Sequence, residues 1–213
     1  MADEYAGSLI HKRNDNVDGV GPWYWIQKDT GAWFGPKQDW EHSHKAKYLQ
    51  HVTDWCLVVQ AGGCQGMYPR LFANMFQRVY TFEPDPLNFL CLVNNCQLDN
   101  IIKMQSALGA ECKLITVNRL NPENVGENRV TEEFQFVPMI TIDTLNLDGC
   151  GLIQLDVETY ERNVILGAME TIKKYKPVIT CENGKDGEII ELLSPLGYQI
   201  VDESRGDTFY KVL

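Results

Sequence analysis

The feature that most constrains this chain is a cluster of glycines set between two apolar runs. Residues 55–84 read Trp55-Cys-Leu-Val-Val-Gln60-Ala-Gly-Gly-Cys-Gln-Gly66-Met-Tyr and continue to Arg78-Val-Tyr-Thr-Phe-Glu83-Pro84. Cys56 to Val59 is short and apolar, as a strand covered on both faces must be. Gly62, Gly63 and Gly66 stop it. Met67 to Gln77 then carries Leu71, Phe72, Met75 and Phe76 at helical spacing. Arg78 to Phe82 reads as a second strand, and it ends on an acid, Glu83. Without a Cβ the backbone can turn sharply and let a ligand close to the main chain. The following helix offers free N–H groups to a carboxylate or phosphate. An acid about 20 residues on, at the end of the next strand, can accept two ribose hydroxyls. The layout is that of a nucleotide-binding βαβ unit.

The choice of nucleotide follows from the details. Ala61 stands where G-x-G-x-x-G has its first glycine, and no G-x-x-x-x-G-K-[ST] occurs, which removes the P-loop reading. Gln60-x-Gly62-x-x-x-Gly66 is similar to the first motif of class I S-adenosylmethionine-dependent methyltransferases.

A chain of 213 residues is long enough for one domain with a full core. A formal net charge of -10 argues against a large nucleic-acid surface, because that affinity comes from Lys and Arg neutralising phosphates. No apolar run approaches the ~18 residues that would span a membrane. The start, Met-Ala-Asp-Glu-Tyr, has neither the basic nor the apolar part of a secretory signal. The seven cysteines lack a C-x-x-C pair. Cys56, Cys91, Cys96 and Cys181 lie in apolar runs and read as buried small hydrophobes. The expected location is a reducing cytoplasm.

Two units are expected: an N-terminal extension over residues 1–52 and a domain over 53–213. Residues 1–21 read as a loose lead-in. Trp23-Tyr24-Trp25-Ile26 and Trp33-Phe34 around Asp29-Thr30-Gly31 suggest a hairpin, either a plain cover for the sheet or a lid. Pro36 to Val52 predicts a helix; its His42 and His44 read as a solvated pair, since i and i+2 do not share a helix face. Further on, a helix starts behind Asp85 as N-cap with Pro86 at its first position. Ile101 to Ala107 reads as a strand, Cys112 to Val117 as a short extra one, and residues 119–129 as a loop. Phe134 to Ile142 is extended. Gly151 to Val157 is a buried strand, Arg162 to Tyr175 one helix, Pro177 to Cys181 a strand, and Asp186 to Leu193 a helix. The last two strands, Tyr198 to Val201 and Thr208 to Val212, have no helix between them. Alternating strands and helices make a Rossmann-like α/β fold: a doubly wound, seven-stranded, mostly parallel sheet with an antiparallel edge strand.

Ligands of open α/β sheets bind outside the carboxyl ends of the strands. Those ends carry Gln60, Glu83, Ser106-Ala107, Asp156-Val-Glu158 and Glu182-Asn183, a polar group on every strand.

Val59-Gln-Ala-Gly-Gly-Cys-Gln-Gly-Met-Tyr68, Val79-Tyr-Thr-Phe-Glu-Pro84, Asn94-Asn95, Ala107-Leu-Gly109, Ile142-Asp-Thr-Leu145, Leu152-Ile-Gln-Leu-Asp-Val-Glu-Thr-Tyr-Glu161, Gly167-Ala168 and Lys176-Pro-Val-Ile-Thr-Cys-Glu182 together resemble the FkbM-type methyltransferases. The resemblance spans residues 55–183. It implies a class I methyltransferase fold, S-adenosyl-L-methionine as cofactor, and O-methylation of a sugar or other small hydroxylated acceptor. It places Gln60, Ala61, Gly62, Gly63 and Gly66 around the methionine part, Glu83 and Pro84 at the ribose, and Ser106 and Ala107 at the adenine. Asp156 would stand beside the transferred methyl group. Asp156 and Glu158 are the catalytic candidates, with Glu158 and Glu182 facing the acceptor. No metal is assigned, although the same acids could bind a divalent cation. Two positions depart from the family pattern. Gln60 replaces an acid. Thr159 stands where a glycine is usual after Asp-Val-Glu, and a β-branched residue there predicts a negative φ. Two other readings are a non-catalytic binding protein on the same fold and a nicotinamide-dependent oxidoreductase; the missing first glycine counts against the latter.

Overall fold

A computed structural model describes residues 3–5, 10–13, 21–26, 38–118, 129–131, 136–182, 187–204 and 206–213. The N-terminal part holds β1 (Asp3–Tyr5), β2 (Ile10–Arg13) and β3 (Trp23–Ile26), which form a small antiparallel sheet, and helix α1 (Gln38–His51). The expected loose lead-in therefore contains two strands. The described partner of β3 is β2, which precedes it; the Asp29-Thr30-Gly31 turn and Trp33-Phe34 lie outside the described residues.

The main domain runs β4 (Leu57–Ala61), α2 (Met67–Ala73), β5 (Arg78–Phe82), α3 (Pro86–Asn95), β6 (Ile101–Met104), β7 (Ala107–Leu108), β8 (Lys113–Asn118), β9 (Arg129–Thr131) and β10 (Val137–Ile140). It continues with β11 (Leu152–Leu155), α4 (Glu161–Leu166), α5 (Met169–Tyr175), β12 (Val178–Glu182), α6 (Glu188–Leu193), β13 (Tyr198–Ser204) and β14 (Asp207–Val212). The seven-stranded sheet has the order β13-β14-β12-β11-β4-β5-β6. β11, β12, β4, β5 and β6 are parallel. β14 inserts antiparallel between β12 and β13, so the expected antiparallel edge is a hairpin whose outer strand is β13.

Each strand feeds both faces. Leu57, Val59, Ile153, Leu155, Ile179 and Cys181 pack with Val164, Ile165 and Ile172 of the α4–α5 side. Val58, Val79, Leu152, Val178 and Phe209 pack with Tyr48 of α1, Leu71 and Phe72 of α2 and Leu92 of α3. Full burial of one such aliphatic side chain contributes about 1.5–3 kcal/mol, so the two clusters dominate folding. Asp85 caps α3 as the sequence indicates: its carboxylate accepts from Leu87 N–H (2.8 Å) and Asn88 N–H (3.0 Å), with Pro86 behind it.

Two elements differ from expectation. The helix over 162–175 is two helices, broken at Gly167 and Ala168: Asp143 N–H donates to the Gly167 carbonyl (3.0 Å), and the Asp143 carboxylate accepts from Glu170 and Thr171 N–H (3.0 and 2.8 Å) at the start of α5. The strand over 101–107 stops at Met104. Ala107 and Leu108 leave the main sheet and pair with β10 in a second sheet of order β7-β10-β8-β9. Most of the predicted 119–129 loop lies outside the described residues. Among the described residues no helix is long and apolar enough to cross a membrane.

Candidate functional site

The glycine turn after β4 is a steric requirement. Gly62 has φ 84°, and its N–H and that of Gly63 both donate to the Phe82 carbonyl (3.1 and 2.9 Å). A Cβ on Gly62 would lie 1.8 Å from the Asp156 carbonyl oxygen, and one on Gly63 would lie 2.4 Å from Leu92 Cδ1. Gly66 has φ 100° and leads directly into α2. The cradle can thus approach a ligand with bare backbone.

Gln60 shapes this turn from behind. It is fully buried; its carbonyl accepts from the Thr81 hydroxyl, and its amide donates to Gly62 O (2.9 Å) and Ala61 O (3.2 Å). Both amide hydrogens are engaged within the chain, so Gln60 acts on a ligand through the turn it holds. Ala61 is buried in the α4–α5 cluster, and Pro84 is half-buried next to Glu83.

Glu83 straps the turn to the start of α3. One carboxylate oxygen accepts from Cys64 N–H (2.7 Å) and the other from Asp85 N–H (2.8 Å). Burial pushes this carboxyl up to about 7, against the pull of those backbone donors. Each carboxylate oxygen has two acceptor positions, so backbone bonding does not exhaust either one. Ser106 and Ala107 are both buried beyond β6, and the Ser106 hydroxyl has no hydrogen-bond partner among the described residues. An orphan of this kind costs about 1–3 kcal/mol until a ligand or water meets it. The bare cradle, the acid and the orphan hydroxyl could together hold a cofactor.

The second half of the site is acidic. Leu155 pairs with Cys181, which sets Asp156 beside Glu182 at the ends of adjacent strands. Carboxylate oxygens of Asp156, Glu158 and Glu182 lie within 4.8 Å of one another. The structure thus brings the three predicted acids together; Asn183 lies outside the described residues. Burial pushes the Asp156 carboxyl well up, helped by the charge of Glu182, a hydrogen bond to it, and the charges of Glu158 and Asp207. The trio is also a donor set of the kind that suits a hard divalent cation.

Glu158 sits in a turn that overturns one expectation. Glu158 and Thr159 have φ of 51° and 77°, and Tyr160 N–H donates to Val157 O (3.2 Å). Two successive left-handed residues closed by such a bond make a type I′ turn. Thr159 thus adopts the positive φ that its branched Cβ disfavours. The turn is held from outside: Val157 N–H donates to the Glu161 carboxylate (3.2 Å).

Sequence reasoning missed several neighbours. Asp207 pairs in register with Glu182, and Lys47 of α1 reaches its carboxylate at 2.6 Å, both side chains being buried. The pair joins residues 160 positions apart, and nothing local marks either one. Tyr48 and Tyr68 lie close by; burial raises both phenols, and the nearby Asp207 and Asp156 charges add to it. Behind the acids, Thr81, Gln60, Gln154 and Thr180 form a buried polar row across four strands. Polar residues inside apolar strands were the available signal. His44 is also buried, against Tyr68, rather than solvated; His42 is exposed.

Residues 61–200 match the family model described as Methyltransferase FkbM domain. The chain belongs to the FkbM methyltransferase family. Among solved structures it is similar to the methyltransferase FkbM from Methylobacillus flagellatus KT, at 16% identity and a TM-score of 0.51. That match covers 79% of this chain and 50% of the other, so the chain spans half the length of that relative. An rRNA methylase from Streptococcus thermophilus matches at 11% identity and a TM-score of 0.49, over 81% of this chain and 95% of the other. M. jannaschii TYW2, solved in complex with AdoMet, matches at 10% identity and a TM-score of 0.48, over 99% and 90%. No curated protein matches in sequence. The FkbM match begins at Ala61, the last residue of β4, and takes in the glycine turn, Glu83, Ser106 and the three acids. It leaves out α1 with Lys47 and the N-terminal sheet.

Proposed function

We propose that this FkbM chain is an S-adenosyl-L-methionine-dependent methyltransferase that acts on a hydroxyl of a small acceptor such as a sugar. The observation that carries the reading is the family match over 61–200, into which the bare glycine cradle and the Glu83 strap fit. The cofactor supplies a methyl group already bound to a good leaving group. The chain's own task is then alignment and proton removal. The backbone of 62–66 would hold the methionine part, Glu83 and Pro84 the ribose, and Ser106 and Ala107 the adenine edge. Asp156 would stand beside the transferred methyl group, where the two halves of the site meet. Glu158 and Glu182 would orient the acceptor, and Asp156 or Glu158 would take the hydroxyl proton. The negative cleft favours neutral or cationic acceptors over phosphorylated ones. A cytoplasmic setting fits the free cysteines.

Thermal unfolding with S-adenosylhomocysteine, with NAD as control, tests the reading. Ligand at ~100 times its Kd adds about 2.7 kcal/mol. At about 2–4 °C per kcal/mol the midpoint should rise by roughly 5–11 °C. A rise with NAD alone, or none with either at millimolar concentration, overturns it.

A further inference from the structure

We infer that the small N-terminal sheet is a working part of the cofactor site, coupled to the glycine turn through Asn95. The inference rests on the cofactor reading above and adds to it a positioning residue that touches no ligand. Asn95 is the last residue of α3 and is buried. Its amide donates to two carbonyls at once, Tyr24 O of β3 and Gln65 O of the glycine turn, each at 2.8 Å. Its carbonyl accepts from Tyr24 N–H at 2.7 Å. The side chain thus imitates a strand neighbour toward β3 while gripping the turn with its second hydrogen.

The surrounding contacts repeat this bridge in apolar form. Ile10 and Ile26 pack with Cys91 of α3 and with Cys64 of the turn. Trp23 and Trp25 pack on Met67, the first residue after Gly66. The Arg70 guanidinium lies 5.7 Å from the centre of the Trp23 ring. On the other side, Cys96 Sγ would be 2.6 Å from a Cβ on Gly66, so the end of α3 already limits the turn. Three separate pieces of chain meet at the turn: the end of α3, the start of α2 and the N-terminal sheet. Strands β2 and β3 lie outside the segment that matches the FkbM model, yet they brace its most sensitive backbone. By linkage, a sheet that orders the cofactor turn must in turn be ordered by cofactor.

The test uses the full chain with Asn95→Ala, Asn95→Asp and Ile10→Ala. Asn95→Asp keeps the acceptor for Tyr24 N–H and loses both donors. Ile10→Ala thins the apolar contact of the sheet with Cys91 and Cys64 and leaves the three Asn95 hydrogen bonds in place. S-adenosylhomocysteine affinity is read by calorimetry, and amide exchange at residues 23–26 is followed with and without that ligand. In the wild type the ligand should slow exchange in β3. Asn95→Ala should weaken affinity roughly tenfold and remove that slowing, with Asn95→Asp and Ile10→Ala shifted in the same direction. A lowered unfolding midpoint with affinity within roughly twofold of wild type would make Asn95 a structural residue only and overturn the inference. Should Asn95→Ala fail to fold, the other two variants decide by the same criteria. Should the wild type bind no S-adenosylhomocysteine, the methyltransferase reading falls. Exchange at residues 62–66 then judges the coupling alone: faster exchange in the variants supports it, and unchanged exchange overturns it.

Discussion

Replacing Thr159 by glycine should stabilise this protein, although it removes a side chain. Thr159 has φ 77° in the turn that carries Glu158. A left-handed residue with a Cβ costs about 1–2 kcal/mol, and a β-branched one lies at the high end. The side chain is exposed, so its loss forfeits little burial. Glycine gives back about 0.5–1 kcal/mol through the freedom it adds to the unfolded chain. The net gain is about 0.5–1 kcal/mol, a midpoint rise of roughly 1–4 °C. Three variants separate the contributions in urea or thermal unfolding. Thr159→Gly should gain most. Thr159→Asn should follow, because asparagine tolerates the left-handed region. Thr159→Ala should gain least, since it relieves the branching and keeps the Cβ. A Thr159→Gly protein less stable than Thr159→Ala would refute the reasoning, because it would show a backbone in which the Cβ is harmless.

The remaining predictions concern the two halves of the site. Glu83 titrates at about 7 in the folded chain against an ordinary 4.5. Its contribution to stability is therefore complete below about pH 4.5 and is lost as pH rises to about 7, on the order of 3 kcal/mol, and Glu83→Gln should flatten that part of the pH–stability curve. Ribose hydroxyls donate to the ionised form, so S-adenosylhomocysteine affinity should rise with pH up to about 7 and then level off; a flat calorimetric profile contradicts the ribose role. Gly62→Ala should cost at least about 3 kcal/mol and abolish cofactor binding, since its Cβ meets the Asp156 carbonyl; binding near wild type would show that the turn can move away. Lys47→Met leaves the Asp207 carboxylate buried and unpaired and should cost about 3–5 kcal/mol. Adding Asp207→Asn to Lys47→Met should restore much of that loss in denaturant unfolding, and strictly additive losses would count against the pair.

What could be read from the sequence was what local chemistry determines. The glycine turn, the Asp85 cap with Pro86, and the acids at the ends of β5, β11 and β12 lie where residue type and spacing put them. Parallel pairing then gathers the strand ends without further information, which is why Asp156, Glu158 and Glu182 converge. The misreadings come from contacts made at a distance. The break at Gly167 answers to Asp143, more than twenty residues earlier, which caps the start of α5. Lys47 reaches Asp207 only after α1 has docked. Thr159 misled for another reason: its own preference points to negative φ, and the I′ turn with its Glu161 brace overrides it. Position puts Gln60 at the glycine turn, and the buried amide meets its hydrogen-bonding needs there, on Thr81, Ala61 O and Gly62 O, partners that residue type alone does not name.

The carbonyl of Asp156 occupies the space that a side chain at position 62 would need. The floor of the glycine turn and the strand that bears the acids are thus one wall seen from two sides. A slip or bulge in β11 would move the glycine turn and the acids together, so neither can be retuned through that strand alone. The same shared wall means that a graft of the glycine turn from this protein would have to carry β11 along with β4.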